Sequence, residues 1–102
     1  MTPGDVPEAF ERDMGCTSAE LLASLATALP GAVLLVNAER ASASAVFDAG
    51  ALHIHWSTLP PRRIALLVIP RTLVSFRYER MSPARRHEIQ RRFDMVYQRG
   101  GG

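Results

Sequence analysis

The stretch Pro60-Pro61-Arg62-Arg63-Ile64-Ala65-Leu66-Leu67-Val68-Ile69-Pro70-Arg71 constrains the fold more than any other. Ile64 to Ile69 is the longest unbroken apolar run, and its six residues are far fewer than the ~20 that a membrane helix needs. Six apolar residues bounded by turn formers have the length of a buried strand. Pro60-Pro61 turns the chain into that strand, and Pro70, which cannot donate to a ladder, must bend it, sit at a bulge or separate it from the next. The expectation is that Ile64 to Ile69 is the central strand of a sheet.

The rest of the chain arranges itself around this strand. Thr17-Ser18-Ala19-Glu20 fits a capping box, with the hydroxyl and the carboxylate each satisfying the other's free amide. Cys16 and Leu21 then occupy the two positions of a hydrophobic staple. Leu21, Leu22, Leu25, Ala26 and Leu29 form one apolar stripe at helical spacing, and Pro30-Gly31 stops the helix. Ala32 to Val36 is apolar at every position and reads as a strand buried on both faces; Asn37 to Ser44 reads as a loop.

Ala45 to Asp48 and Ala51 to Ser57 flank Asp48-Ala49-Gly50, a hairpin turn with glycine where a positive φ comes easily. In the second of these strands Leu52, Ile54 and Trp56 alternate with His53, His55 and Ser57, giving one buried face and one wet face. Alternation returns from Arg71 to Tyr78, with Thr72, Val74, Phe76 and Tyr78 on one side. Ser82-Pro83 is an N-cap followed by proline at the first helical position. A second helix follows to about Gln98, with Ile89, Phe93, Val96 and Tyr97 inward.

With 102 residues there is room for one core. The expected fold is α+β, a two-layer sandwich of helix, four or five mainly antiparallel strands and helix. Both helices are expected on one face of the sheet. Residues 1–15 are expected to be a poorly ordered arm, with a helical turn hinted by Val6, Phe10 and Met14. Residues 16–99 form the domain and 100–102 a glycine tail. The acidic N-terminus has neither the basic nor the apolar segment of a signal peptide. A lone cysteine suits a reducing, cytoplasmic setting.

Charge is divided unevenly. Residues 1–50 carry seven acids and two arginines, net −5; residues 51–102 carry three acids and ten arginines, net +7. All twelve basic residues are arginine, which matches the codon bias of a GC-rich bacterial genome and also suits recognition of anions. Arg62, Arg63, Arg71, Arg85 and Arg92 are the candidate phosphate or anion contacts. Glu88 has Arg91 and Arg92 within helical reach, which neutralises part of this charge.

The chemistry-bearing candidates are few. His53 and His55 point the same way from a strand, and with Arg77 they are the candidate ligand-binding residues. A metal would need a third ligand that no spacing supplies, so neither a metal nor a cofactor is expected. Cys16 is explained by the staple. No phosphate loop, nucleophile elbow or zinc-finger spacing is present in the sequence, so no catalytic residue is assigned.

Two resemblances complete the reading. Gln98-Arg99-Gly100-Gly101-Gly102 resembles the Arg-Gly-Gly ending of ubiquitin and the tail of small sulfur carriers, although the order of elements departs from their β-grasp fold. Gly15-Cys16-Thr17, Pro60 to Leu67, Arg92-Phe93-Asp94 and the same tail resemble a small conserved hypothetical family of proteobacteria. That resemblance implies a bacterial, cytosolic protein and carries no function or site residue. The expected role is a non-catalytic binding or accessory module acting through protein contacts. The alternatives are a nucleic-acid or anionic-ligand binder, and a metal-binding protein or enzyme centred on His53 and His55. No membrane contact is expected, and the oligomeric state is open.

Overall fold

The computed structural model describes residues 6–100, with side chains over 6–98. The elements are β1 (Ala9–Met14), α1 (Ser18–Ala28), β2 (Val33–Asn37), β3 (Ser42–Phe47), β4 (Gly50–Ile64), β5 (Leu67–Glu79) and α2 (Pro83–Gly100). The strands form one sheet in the order β1-β5-β4-β3-β2, antiparallel at every junction. The fold is therefore α+β, with two helices and a five-stranded antiparallel sheet.

Period-two patterning decides where the core sits. Thr72, Val74, Phe76 and Tyr78 of β5 are buried, as are Leu52, Ile54 and Trp56 of β4. The register sets Ile54 opposite Phe76 and Ala43 opposite Ile54, so these residues share one face. Leu21, Leu25 and Leu29 from α1 and its end, and Ile89 and Phe93 from α2, join the same core cluster. Phe93 meets Phe76 edge-on with ring centroids 5.1 Å apart, and Phe10 stacks on Phe76 at 4.8 Å. Fully burying each such side chain is worth about 1.5–3 kcal/mol.

The helix ends follow their sequences. Thr17 Oγ1 accepts from the Glu20 amide at 3.1 Å, and Glu20 Oε1 accepts from the Thr17 amide at 2.9 Å. The Thr17 amide, with the Thr17 side chain adding to it, holds the Glu20 carboxyl below its ordinary range. Cys16 and Leu21 are both buried, as the staple requires. Burial raises the Cys16 thiol, with Glu20 adding to the effect, so the helix N-terminus does not activate it. At α2, Ser82 Oγ accepts from the Arg85 amide at 3.2 Å.

The expected loop over Asn37 to Ser44 narrows to 38–41, because β2 runs to Asn37 and β3 starts at Ser42, and four further local expectations are corrected. First, Ile64 to Ile69 is not a buried central strand. It contains the tip of the hairpin between β4 and β5, with Ile64 opposite Leu67. Second, Ala32 to Val36 is not buried on both faces: β2 is the edge of the sheet, and Val33, Leu35 and Val36 are exposed. Third, Phe10 and Met14 belong to a strand rather than a helical turn, because a spacing of four returns to the same face in either geometry. Fourth, Gly50 is needed for close approach rather than for a positive φ. A Cβ there would lie 2.5 Å from the Glu79 carbonyl oxygen and 2.7 Å from that of Arg80.

A polar chain ties β1 and β5 to α2. Tyr78 Oη donates to Gln90 Oε1 at 2.7 Å, and Gln90 Nε2 donates to Asp94 Oδ1 at 3.0 Å. Arg12 Nη1 donates to that same Asp94 oxygen. Burial, and secondarily the Asp94 carboxylate, drives the Tyr78 hydroxyl far above its ordinary range. Its proton therefore stays in place to serve Gln90. The four groups satisfy one another where an unpaired member would be costly.

Candidate functional site

The face of the sheet turned away from the core carries the polar partners of the alternating strands. The register places Ala9, Arg77, His53 and Ser44 in one row across β1, β5, β4 and β3. Glu11, Ser75, His55 and Ser42 form the next row. The two rows line a cavity of about 650 Å³, which brings the three sequence-predicted ligand residues His53, His55 and Arg77 together.

The groups in this cavity differ in how firmly they are held. His53 is fixed at both ring nitrogens, with Nδ1 2.9 Å from Ser44 Oγ and Nε2 2.8 Å from Glu79 Oε1. The bond to His53 holds the Glu79 carboxyl below its ordinary range, helped by the charges of Arg80 and Arg77. Ser75 Oγ donates to Glu11 Oε2 at 3.3 Å. Among the described residues, neither the Arg77 guanidinium nor the His55 ring has a hydrogen-bond partner. The cavity thus has one locked imidazole and two exposed donors at its wall. Among the described residues no three His, Cys, Asp or Glu side chains gather as a metal centre would require.

The five candidate anion contacts are spread over three elements, β4, β5 and α2. Arg62 and Arg63 are exposed near the end of β4. Arg71 is committed to Asp13, donating from Nε at 2.9 Å and Nη2 at 2.6 Å to a single carboxylate oxygen. That pairing lowers the Asp13 pKa and raises that of Arg71. On α2, Arg85 donates to Glu88 and lies 5.3 Å from the Phe47 ring centroid. Glu88 therefore pairs backward with Arg85, three residues earlier, rather than forward with Arg91 or Arg92. Arg92 lines shallow clefts beside Pro30. Gly101 and Gly102 of the tail lie outside the described residues, as do residues 1–5.

The feature that sequence reasoning missed is the end of the β4–β5 hairpin. Pairing of β1 with β5 stops at Met14–Thr72, and pairing of β3 with β4 stops at Ser42–His55. Beyond those points one more backbone bond, from the Trp56 amide to the Ala41 carbonyl at 2.9 Å, ties β4 to the β3 side, and past it the two strands form a ladder only with each other among the described residues. A break in register between Leu59 and Arg62 places Pro60 and Pro61 across from Pro70, so the three prolines mark the base of the arm. Above them Arg62 pairs with Ile69, Arg63 with Val68 and Ile64 with Leu67.

The arm exposes the apolar residues that the sequence pattern assigns to the interior. Leu66 is 100% exposed, Leu67 63%, Val68 55% and Ile64 50%. Ala65 and Leu66 make the two-residue turn. Ala65 holds a φ of 53°, a region that glycine occupies far more readily. The available signal was the pair of arginines preceding Ile64. Charge and proline beside an apolar strand are devices that protect an exposed edge.

No helix among the described residues is long and apolar enough to cross a membrane. Compared with family models, with curated proteins and with solved structures, the chain gives no significant match.

Proposed function

We propose that the protein is a binding module that works through protein contacts, with the arm from Pro60 to Arg71 as its docking element. One observation carries this reading: four large aliphatic residues, Ile64, Leu66, Leu67 and Val68, stand in solvent on a paired, two-stranded finger. Exposed apolar groups that cluster in this way are characteristic of interaction surfaces. The finger presents its Ile64–Leu67 pair on one face and its Arg63–Val68 pair on the other. A partner with an apolar groove edged by acidic residues fits that pattern. Arg62 and Arg63 would then supply orientation and encounter rate more than affinity.

The test is photo-crosslinking from position 66 in cells that express the chain naturally. The reading requires one specific protein adduct that disappears when Leu67 and Val68 are both replaced by serine. Absence of any adduct, or the same adduct from a control position such as Glu88 on α2, would overturn it.

The outer cavity supports a second reading, a small anionic ligand held by Arg77 and His55 beside the fixed His53. The specific observation is that these residues line one concavity while Arg77 and His55 keep exposed donors. Titration with inorganic phosphate, followed through the His55 and Arg77 resonances, tests it. Saturable shifts that weaken with salt and vanish in Arg77→Ala are required; shifts of equal size in the variant would rule the site out.

A further inference from the structure

The two edges of the sheet are built in opposite ways. β1 reads Ala-Phe-Glu-Arg-Asp-Met and carries three charged residues. β2 reads Val-Leu-Leu-Val-Asn and carries none. Charges blunt one edge, whereas the other offers unpaired backbone groups between exposed aliphatic side chains. On the outer face Val33 is 65% exposed and Leu35 61%, with Val46 exposed beside Val33 in the next strand. On the inner face Val36 is half exposed.

We propose that this edge pairs with β2 of a second copy, antiparallel about a two-fold axis normal to the sheet, to give one continuous ten-stranded sheet. The proposal concerns a different surface from the arm and stands independently of it. The two-fold preserves the outer face, so residues of the same face must oppose one another. A register centred on Leu34 meets this condition. It sets Leu34 against Leu34 of the second copy, Val33 against Leu35, and Ala32 against Val36.

Every side-chain pair in that register is apolar, and the two most exposed residues of the edge cover each other. Val46, Val33 and Leu35 of both copies then form one stripe on the outer face. Cross-strand aliphatic pairs of this kind are the unit of sheet stabilisation. The register also brings the β2–β3 turn, with Glu39 and Arg40, beside the Leu29–Gly31 connection of the other copy. That connection carries no charge, so no like charges are opposed. Shifting the centre to Leu35 would place Asn37 against Val33, which is why the Leu34 register is favoured. A peptide strand from an unrelated protein could use the same backbone groups, but it would not supply this self-complementary sequence.

Sedimentation equilibrium of the full chain tests the proposal. The expected mass is twice the 11.2 kDa of the chain at micromolar concentration. Val33→Lys with Leu35→Lys places four ammonium groups at the seam, and should weaken association at least a hundredfold while leaving the circular dichroism unchanged. Leu34→Cys should form an intermolecular disulfide under mild oxidation, and Asn37→Cys should not. Leu67→Ser with Val68→Ser on the arm should leave the dimer intact, so this pairing can fail without the arm reading failing, and the reverse. A monomer at all concentrations, a dimer that survives the two lysines, or cross-linking at position 37 instead of 34 would overturn the proposal. If the lysine variant does not fold, the cysteine pair decides.

Discussion

The β4–β5 hairpin is one continuous pair of strands with two opposite fates. Its lower part, from Gly50 to Leu59 and from Arg71 to Glu79, is flanked by β3 along Gly50 to His55 and by β1 along Thr72 to Arg77, and buries Leu52, Ile54, Trp56, Val74 and Phe76. Its upper part, from Arg62 to Ile69, has no flanking strand among the described residues and holds Ile64, Leu66, Leu67 and Val68 in water. The upper part is the more apolar of the two in sequence. Burial is therefore set by what packs beside a strand and not by its hydrophobicity alone. The prolines at 60, 61 and 70 separate the regimes, because they interrupt the ladder where the sheet ends.

Truncation separates the two regions most sharply. Phe76→Ala should cost about 3–5 kcal/mol, because the ring is enclosed by Phe10 and Phe93. Leu66→Ala should change stability by no more than about 0.5 kcal/mol, as at other open surface positions. Urea unfolding of the two variants measures both values. A large loss for Leu66→Ala would mean that the tip is packed.

A smaller effect tests the start of the lower part. Gly50→Ala should cost about 1–3 kcal/mol, since its Cβ would press on the carbonyls of Glu79 and Arg80 and the end of β5 must shift. The matching change at the tip has the opposite sign. Ala65→Gly relieves a left-handed residue worth about 1–2 kcal/mol, against about 0.4–1 kcal/mol of added unfolded-chain entropy. A net gain of about 0–1.6 kcal/mol is expected, with slower amide exchange confined to the arm.

Acid should act on the outer face and α1 rather than on the arm tip. Asp13, Glu20 and Glu79 are all held below their ordinary pKa, by Arg71, the Thr17 cap and His53 respectively. Lowered carboxylate values stabilise the fold fully above the unfolded range near pH 4. That contribution is lost as pH falls through the folded values. Unfolding midpoints followed from pH 6 to pH 2 should decline mainly below pH 4.5, and Asp13→Asn should flatten part of that decline.

What could be read from the sequence was local. The Thr17 capping box, the Ser82 cap, the turn at Asp48-Ala49-Gly50 and the alternation from Thr72 to Tyr78 each depend on neighbours in the chain. The face bearing His53, His55 and Arg77 followed from the same alternation, and the register then placed the three around one cavity. Strand order was not legible, because a period of two tells faces apart without naming neighbours. Hence Ala32 to Val36 and Ile64 to Ile69, both fully apolar, read as interior. The pairing of Arg12 with Asp94 spans 82 residues and left no local sign.

The most direct test of the arm is the thiol reactivity of Leu66→Cys measured beside that of Cys16. Cys16 is buried and its thiol is pushed up by that burial, so it provides a protected internal reference. In the native protein the cysteine at position 66 should react with a disulfide reagent at the rate of an unstructured thiol, while Cys16 reacts only on unfolding. If both thiols are protected alike until the protein unfolds, the apolar tip belongs to the core and the arm does not exist as a docking element.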